Sequence, residues 1–152
     1  SLRVAAICGK GPVLERVAAA RVLEDFFVPR LLQETAFGLV TSSGFERHLA
    51  RVGRVLEERM QVLQAELAAR LPAWRTVVQP KGGFHLWLEL GSGASATELS
   101  RRAASMGVRV NAGSRWFPAE PIAQYVRISV AAATVPEIRQ GVERLALADA
   151  AS

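Results

Sequence analysis

Leu49, Val52, Leu56, Met60, Leu63, Leu67 and Leu71 step by three or four residues until Pro72 interrupts the series. Such spacing lays one apolar stripe along a single helix of about six turns, with charged residues on its other faces. The four-residue steps do not hold a heptad and the segment is short, which disfavours a coiled coil. The stripe must instead be covered by the chain's own body, and the helix is expected to join two bodies and pack on both.

Past Pro72 the apolar period drops from 3.6 to 2. Trp74 to Gln79 reads as a strand and Pro80-Lys81-Gly82-Gly83 as a turn. Phe84, Leu86, Leu88 and Leu90 then alternate with His85, Trp87 and Glu89 in a second strand, making a hairpin. Ser95 to Met106 reads as a helix closed by Gly107, followed by a short strand over Val108 to Asn111. Tyr125 to Ala131 is a further strand. Thr134 and Glu137 form a capping box for the last helix, with Pro136 inside its first turn. The fold class is therefore α+β, with strands and helices in the order β-β-α-β-β-α, a mostly antiparallel sheet, and helices on one face.

Upstream of the long helix, Leu2 to Cys8 is short, apolar and rich in small residues, and predicts a buried strand ending at Gly9-Lys10-Gly11-Pro12. No partner strand lies near it in sequence, so its ladder groups need cover from elsewhere. Pro12 to Arg21 and Leu31 to Val40 predict helices, interrupted by Phe26, Phe27 and Pro29. The polar Thr41-Ser42-Ser43-Gly44 segment marks a boundary, giving domains at 1–43 and 44–152. The first forty or so residues lack most of a sheet to pack on. They are expected to dock on another copy or be poorly ordered.

Composition narrows the class. The 152 residues are 50% apolar, enough for a real core, and no apolar run approaches the ~20 residues of a membrane span. With no signal-peptide layout at the start, a cytoplasmic protein with no membrane partner is expected. Cys8 is the sole cysteine and reads as a buried packing thiol, and His48 and His85 lack metal-ligand spacing, so no metal is expected. The net charge of +5 arises from 19 Lys and Arg against 14 Asp and Glu. Arg47, Arg51 and Arg54 form a helical stripe, but Glu57 and Glu58 follow and no aromatics interleave. A solvated helix face fits this better than a nucleic-acid surface.

The candidate site centres on Arg127. In Tyr125-Val126-Arg127-Ile128-Ser129-Val130 the apolar residues at 126, 128 and 130 take the buried side, so Arg127 points from a rigid element to the opposite face. Its planar donors match the two oxygens of a carboxylate, a natural grip for an amino or keto acid. A strand arginine in a surface ion pair is the plainer reading of the residue alone.

Around it stand Pro80-Lys81-Gly82-Gly83-Phe84-His85-Leu86-Trp87-Leu88, then Gly107-Val108-Arg109-Val110-Asn111-Ala112-Gly113-Ser114-Arg115-Trp116-Phe117-Pro118, and later Pro136-Glu137-Ile138 with Gly141-Val142. In this order and spacing they resemble the small domain of fold-type I pyridoxal-phosphate aminotransferases. More narrowly, they resemble the aminotransferase-like half of the MocR branch of GntR transcription regulators. The latter likeness rests on Phe45-Glu46-Arg47-His48-Leu49 and on Arg115-Trp116-Phe117-Pro118-Ala119-Glu120-Pro121.

The resemblance covers essentially the whole chain and carries several implications. Residues 1–43 match the carboxyl-terminal remnant of the large domain, and residues 44–152 the connecting helix and small domain. Arg3 matches the arginine that grips the cofactor phosphate, and Arg127 the arginine that holds the substrate α-carboxylate. Asn111-Ala112-Gly113-Ser114 is similar to the loop entering the pocket, where a glycine lets backbone approach a ligand. Gly82 and Gly83 fit a hairpin turn better than a phosphate cradle.

Two elements of the family pattern are missing. Pyridoxal-phosphate chemistry needs a Schiff-base lysine and an acid facing the ring nitrogen. Lys10 and Lys81 are the only lysines, and neither precedes the arginine as the pattern requires. The chain therefore reads as a fragment, inactive alone, of a homodimeric parent that binds pyridoxal phosphate and an amino-acid ligand. In a regulator, DNA would be bound only through a winged-helix domain outside this chain. A genuine class I/II aminotransferase uses the same two arginines and is the alternative. A free-standing small-molecule or protein-interaction module is the third reading.

Overall fold

A computed structural model describes residues 3–25, 27–91 and 93–150. The chain divides into two compact units, residues 1–49 and 50–152, and the division falls within the long helix.

In the first unit, helix α1 spans Pro12–Asp25 and α2 spans Arg30–Val40. Pro12 occupies the first helical position, where its missing N–H costs nothing. Residues 3–10 adopt neither strand nor helix, which corrects the expected strand from Leu2 to Cys8; Leu2 itself lies outside the described residues. The physical reason is the one anticipated: a single apolar segment without a neighbouring strand has no ladder to join. Cys8 is accordingly exposed, not the packed thiol expected from its apolar neighbours.

Helix α3 spans Phe45–Arg70. At 1.5 Å per residue its 26 residues extend about 39 Å, whereas a five-residue strand spans only about 17 Å. The helix outruns the layer that covers it. Met60, Leu63, Leu67 and Leu71 are buried and Leu56 is partly so, but Leu49 and Val52, expected to face a core, are exposed.

Residues 50–152 form the layered body. Strands β1 (Arg75–Thr76), β2 (His85–Glu89), β3 (Asn111–Ala112) and β4 (Tyr125–Ser129) make one sheet of order β1-β2-β4-β3, with every neighbouring pair antiparallel. The order strand, strand, helix, strand, strand, helix is as the sequence predicts. β1 is shorter than the expected Trp74 to Gln79, and β3 is displaced from the expected Val108 to Asn111, pairing with β4 only at Asn111 and Ala112. β1 holds two ladder residues, although Val77 still donates to the Trp87 carbonyl at 3.2 Å.

Helix α4 spans Ala96–Ser105 and α5 spans Val135–Ala150. Ser95 caps α4 by accepting from the Glu98 amide. At its other end Gly107, at φ 79°, donates to Ala104 while Val108 donates to Ala103, the paired hydrogen bonds of a Schellman stop. The capping box at Thr134 forms: both its amide and its hydroxyl donate to Glu137 Oε2 at 2.7 Å. One face of the sheet, bearing Leu86, Leu88, Val126 and Val130, packs against α3, α4 and α5 through Leu63, Leu67, Leu99, Ala103, Val142 and Leu145. No helix among the described residues is long and apolar enough to cross a membrane.

Candidate functional site

Alternation along the strands leaves the other face of the sheet to Trp87 on β2, Asn111 on β3, and Tyr125 and Arg127 on β4. Arg127 lies in register between Trp87 and Asn111. The sequence pattern thus places it correctly: Val126 and Val130 are fully buried on the helix side, and Arg127 projects from the opposite side, half-buried.

This face carries an aromatic cluster. A 3₁₀ turn follows β3 at Gly113–Trp116. Trp116 lies over the Arg127 guanidinium, 4.3 Å from ring centre to Cζ. Trp87 meets Trp116 edge-on at 5.8 Å and stacks on Tyr125, also at 5.8 Å. Phe117 closes the group, 5.1 Å from Tyr125 and 6.0 Å from Trp87. The expectation for Gly113 is revised in one respect: the close approach it permits is to protein. A Cβ there would sit 2.7 Å from Tyr125 Cβ and 2.9 Å from both Trp87 Cη2 and the Tyr125 carbonyl.

Arg127 Nε is buried and has no hydrogen-bond partner, and among the described residues no carboxylate lies within ion-pair distance of the guanidinium. The plain reading of a surface ion pair therefore does not describe it. Another arginine on the sheet shows the contrast: Arg75 pairs with Glu89 across β1 and β2. His85, two residues from Trp87, is held below the ordinary imidazole value of 6.5 first by burial and then by the Arg127 charge.

Arg59 on α3 donates through Nη1 to the Val130 and Ala131 carbonyls at 3.2 and 2.9 Å, fixing the end of the strand that carries Arg127. A cleft of about 450 Å³ at the sheet edge, lined by Val108, Arg109, Ile128 and Gly141, does not include Arg127 or its aromatic neighbours. The guanidinium can take a planar anion in its own plane.

Arg3 belongs to the first unit, where it is exposed at φ 52°. Gly83, at φ 82°, stands in the turn before β2 as expected. Arg47, Arg51 and Arg54 are exposed along α3. The sequence reading missed Trp116. A signal exists in the Gly113-Ser114-Arg115-Trp116 spacing, which suits one 3₁₀ turn bounded by Pro118, but only the tertiary contact shows what the ring covers.

An antiparallel sheet backed by three helices, whose other face carries an arginine with no carboxylate beside it among the described residues, suits a small domain of the aminotransferase type. The chain belongs to the aminotransferase class I and II family, whose pattern it matches over residues 1–145. It is 30% identical over 146 residues to an uncharacterized HTH-type transcriptional regulator, YdfD, of Bacillus subtilis, covering 96% of this chain and 30% of that protein. It is 33% identical over 144 residues to a 2-aminoadipate transaminase of Thermus thermophilus, covering 95% and 36%. Among solved structures it is similar to LysN, an α-aminoadipate aminotransferase of Thermus thermophilus complexed with N-(5'-phosphopyridoxyl)-L-leucine. The TM-score is 0.78 at 31% identity, over 91% of this chain and 36% of that one. The chain thus spans about a third of the length of these relatives.

Proposed function

We propose that this chain supplies the carboxylate-binding part of an aminotransferase-like effector domain in a MocR/GntR-type transcription regulator, and that Arg127 holds the α-carboxylate of its amino-acid ligand. The observation that carries this reading is the unpartnered, partly buried guanidinium. With no carboxylate of the described residues beside it, the guanidinium keeps its terminal N–H groups for a ligand, and a bound carboxylate would accept from them.

Pyridoxal phosphate is the cofactor this reading implies for the full-length protein, as a homodimer with DNA bound by a separate domain. When bound, it supplies an electron sink beside the amino-acid α-carbon. The residues present fit the amino-acid end of such a ligand. Arg127 would orient the carboxylate, and Arg3 would meet the phosphate, as the resemblance to the family implies. Lys10 and Lys81 do not match the anchoring position, so the covalent link is assigned to residues outside this chain.

Replacing Arg127 by Ala in the full-length protein should weaken amino-acid binding by roughly tenfold to a hundredfold, the loss of about 1.5–3 kcal/mol from one charge-assisted contact. Cofactor uptake, followed by absorbance, should be unchanged. Equal loss of both would remove the role assigned to Arg127.

The likeness to a 2-aminoadipate transaminase supports a second reading, in which the same arginine serves a true aminotransferase. Adding L-2-aminoadipate or L-leucine to the loaded protein separates the two. Keto-acid release favours the enzyme, and a changed affinity for operator DNA without release favours the regulator.

A further inference from the structure

We propose that Trp116 is the positioning residue for Arg127, and that Gly113 is the residue that allows it to be so. The inference rests on the carboxylate role proposed for Arg127 and adds how its grip is preorganised.

An arginine side chain has several rotatable bonds, and a bidentate grip on a carboxylate needs the guanidinium plane fixed in advance. The usual device is an acidic partner, but that occupies the in-plane N–H groups a ligand would use. An aromatic face fixes the plane from above and leaves the terminal N–H groups of the guanidinium unoccupied. Trp116 stands in that position at 4.3 Å, and no carboxylate among the described residues competes for the guanidinium.

The local geometry explains how the ring arrives there. In a 3₁₀ turn residues i and i+3 lie on the same side and are about 6 Å apart along the axis. Tyr125 and Arg127 share one face of β4 and are separated by about 6.8 Å. Gly113 rests directly on Tyr125, at a distance that no Cβ could tolerate. The turn that starts there ends at Trp116, whose ring lies on Arg127. Trp87 then buttresses the indole edge-on, while its own ring is stacked on Tyr125. Trp116 is 45% exposed, so the ring is available to hold a neighbour without being part of the core.

Two measurements test this. In the 152-residue chain, the Arg127 Nε–H resonance, assigned by its loss in Arg127→Lys, should be displaced upfield by the indole ring current. The displacement should vanish in Trp116→Leu and diminish in Gly113→Ala. An undisplaced wild-type resonance would overturn the placement.

In the full-length protein, affinities for N-(5'-phosphopyridoxyl)-L-leucine and for pyridoxamine 5'-phosphate are compared, because their ratio isolates the amino-acid portion. Trp116→Leu should lower that ratio roughly threefold to tenfold, the range of a partly exposed cation–π contact. Trp116→Phe should restore most of it, and Gly113→Ala should resemble Trp116→Leu. If Arg127→Ala leaves the ratio unchanged, the carboxylate role itself fails. If Arg127→Ala lowers the ratio while Trp116→Leu does not, that role stands and the positioning by Trp116 is refuted.

Discussion

Residues 50–152 bury a continuous core of leucines, valines and alanines, whereas no described residue of 3–49 is buried, although that stretch is also rich in apolar side chains. Both regions form helices. The difference is that the second contains a sheet whose pleat presents alternate side chains as a flat apolar layer, and three helices can share it. In the first, Leu23, Phe27, Leu31 and Phe37 remain exposed on or beside helices that have no strand among the described residues of their unit to lie on. Helix propensity makes helices. Burial requires a second layer.

Native-state hydrogen exchange should show the contrast most strongly. Amides of β2 and β4 should exchange only through global opening, and those of α1 and α2 through local opening faster by on the order of a thousandfold or more. Comparable protection in both regions would break the comparison.

The next largest effect is expected from paired truncations. Leu145 is 1% exposed, and Leu145→Ala should destabilise residues 50–152 by about 2–5 kcal/mol. Leu31 is 77% exposed, and Leu31→Ala should stay within about 0.5 kcal/mol. Trp74, Trp87 and Trp116 are the chain's three tryptophans and all lie in the second unit, so their fluorescence during urea unfolding reports on that unit. A large effect of Leu31→Ala on that signal would show the two regions to be energetically joined.

The smallest effect concerns the cap of α5. The Thr134 amide and then its hydroxyl hold the Glu137 carboxyl below its ordinary value of 4.5, with a further contribution from the Arg59 charge. A carboxylate whose value is lowered by folding contributes stability above its unfolded value and loses it as the pH falls. Glu137→Gln should therefore be slightly less stable than the wild type at pH 7, with the difference closing as the pH is taken below 4.5. A difference independent of pH would assign the cap to shape instead of charge.

The elements that could be read from sequence are those set by local period and stop signals. α3 ends before Pro72, α4 stops at Gly107, and the alternation through Val126, Ile128 and Val130 correctly turns Arg127 away from the core. What could not be read depends on neighbours distant in sequence. The segment before Cys8 has strand composition but no ladder, and Leu49 and Val52 continue a stripe whose covering layer has ended. The same holds for the site. The face that Arg127 takes was legible, but the pairing of Trp116 with it depends on a turn packed against a strand that begins nine residues later.

The two hydrogen bonds from Arg59 to the Val130 and Ala131 carbonyls make α3 more than a packing element. A long rigid rod fastened to the tail of a short ribbon acts as a lever on it. Val130 lies three residues beyond Arg127, so a turn of that rod would be felt close to the strand position that carries the guanidinium.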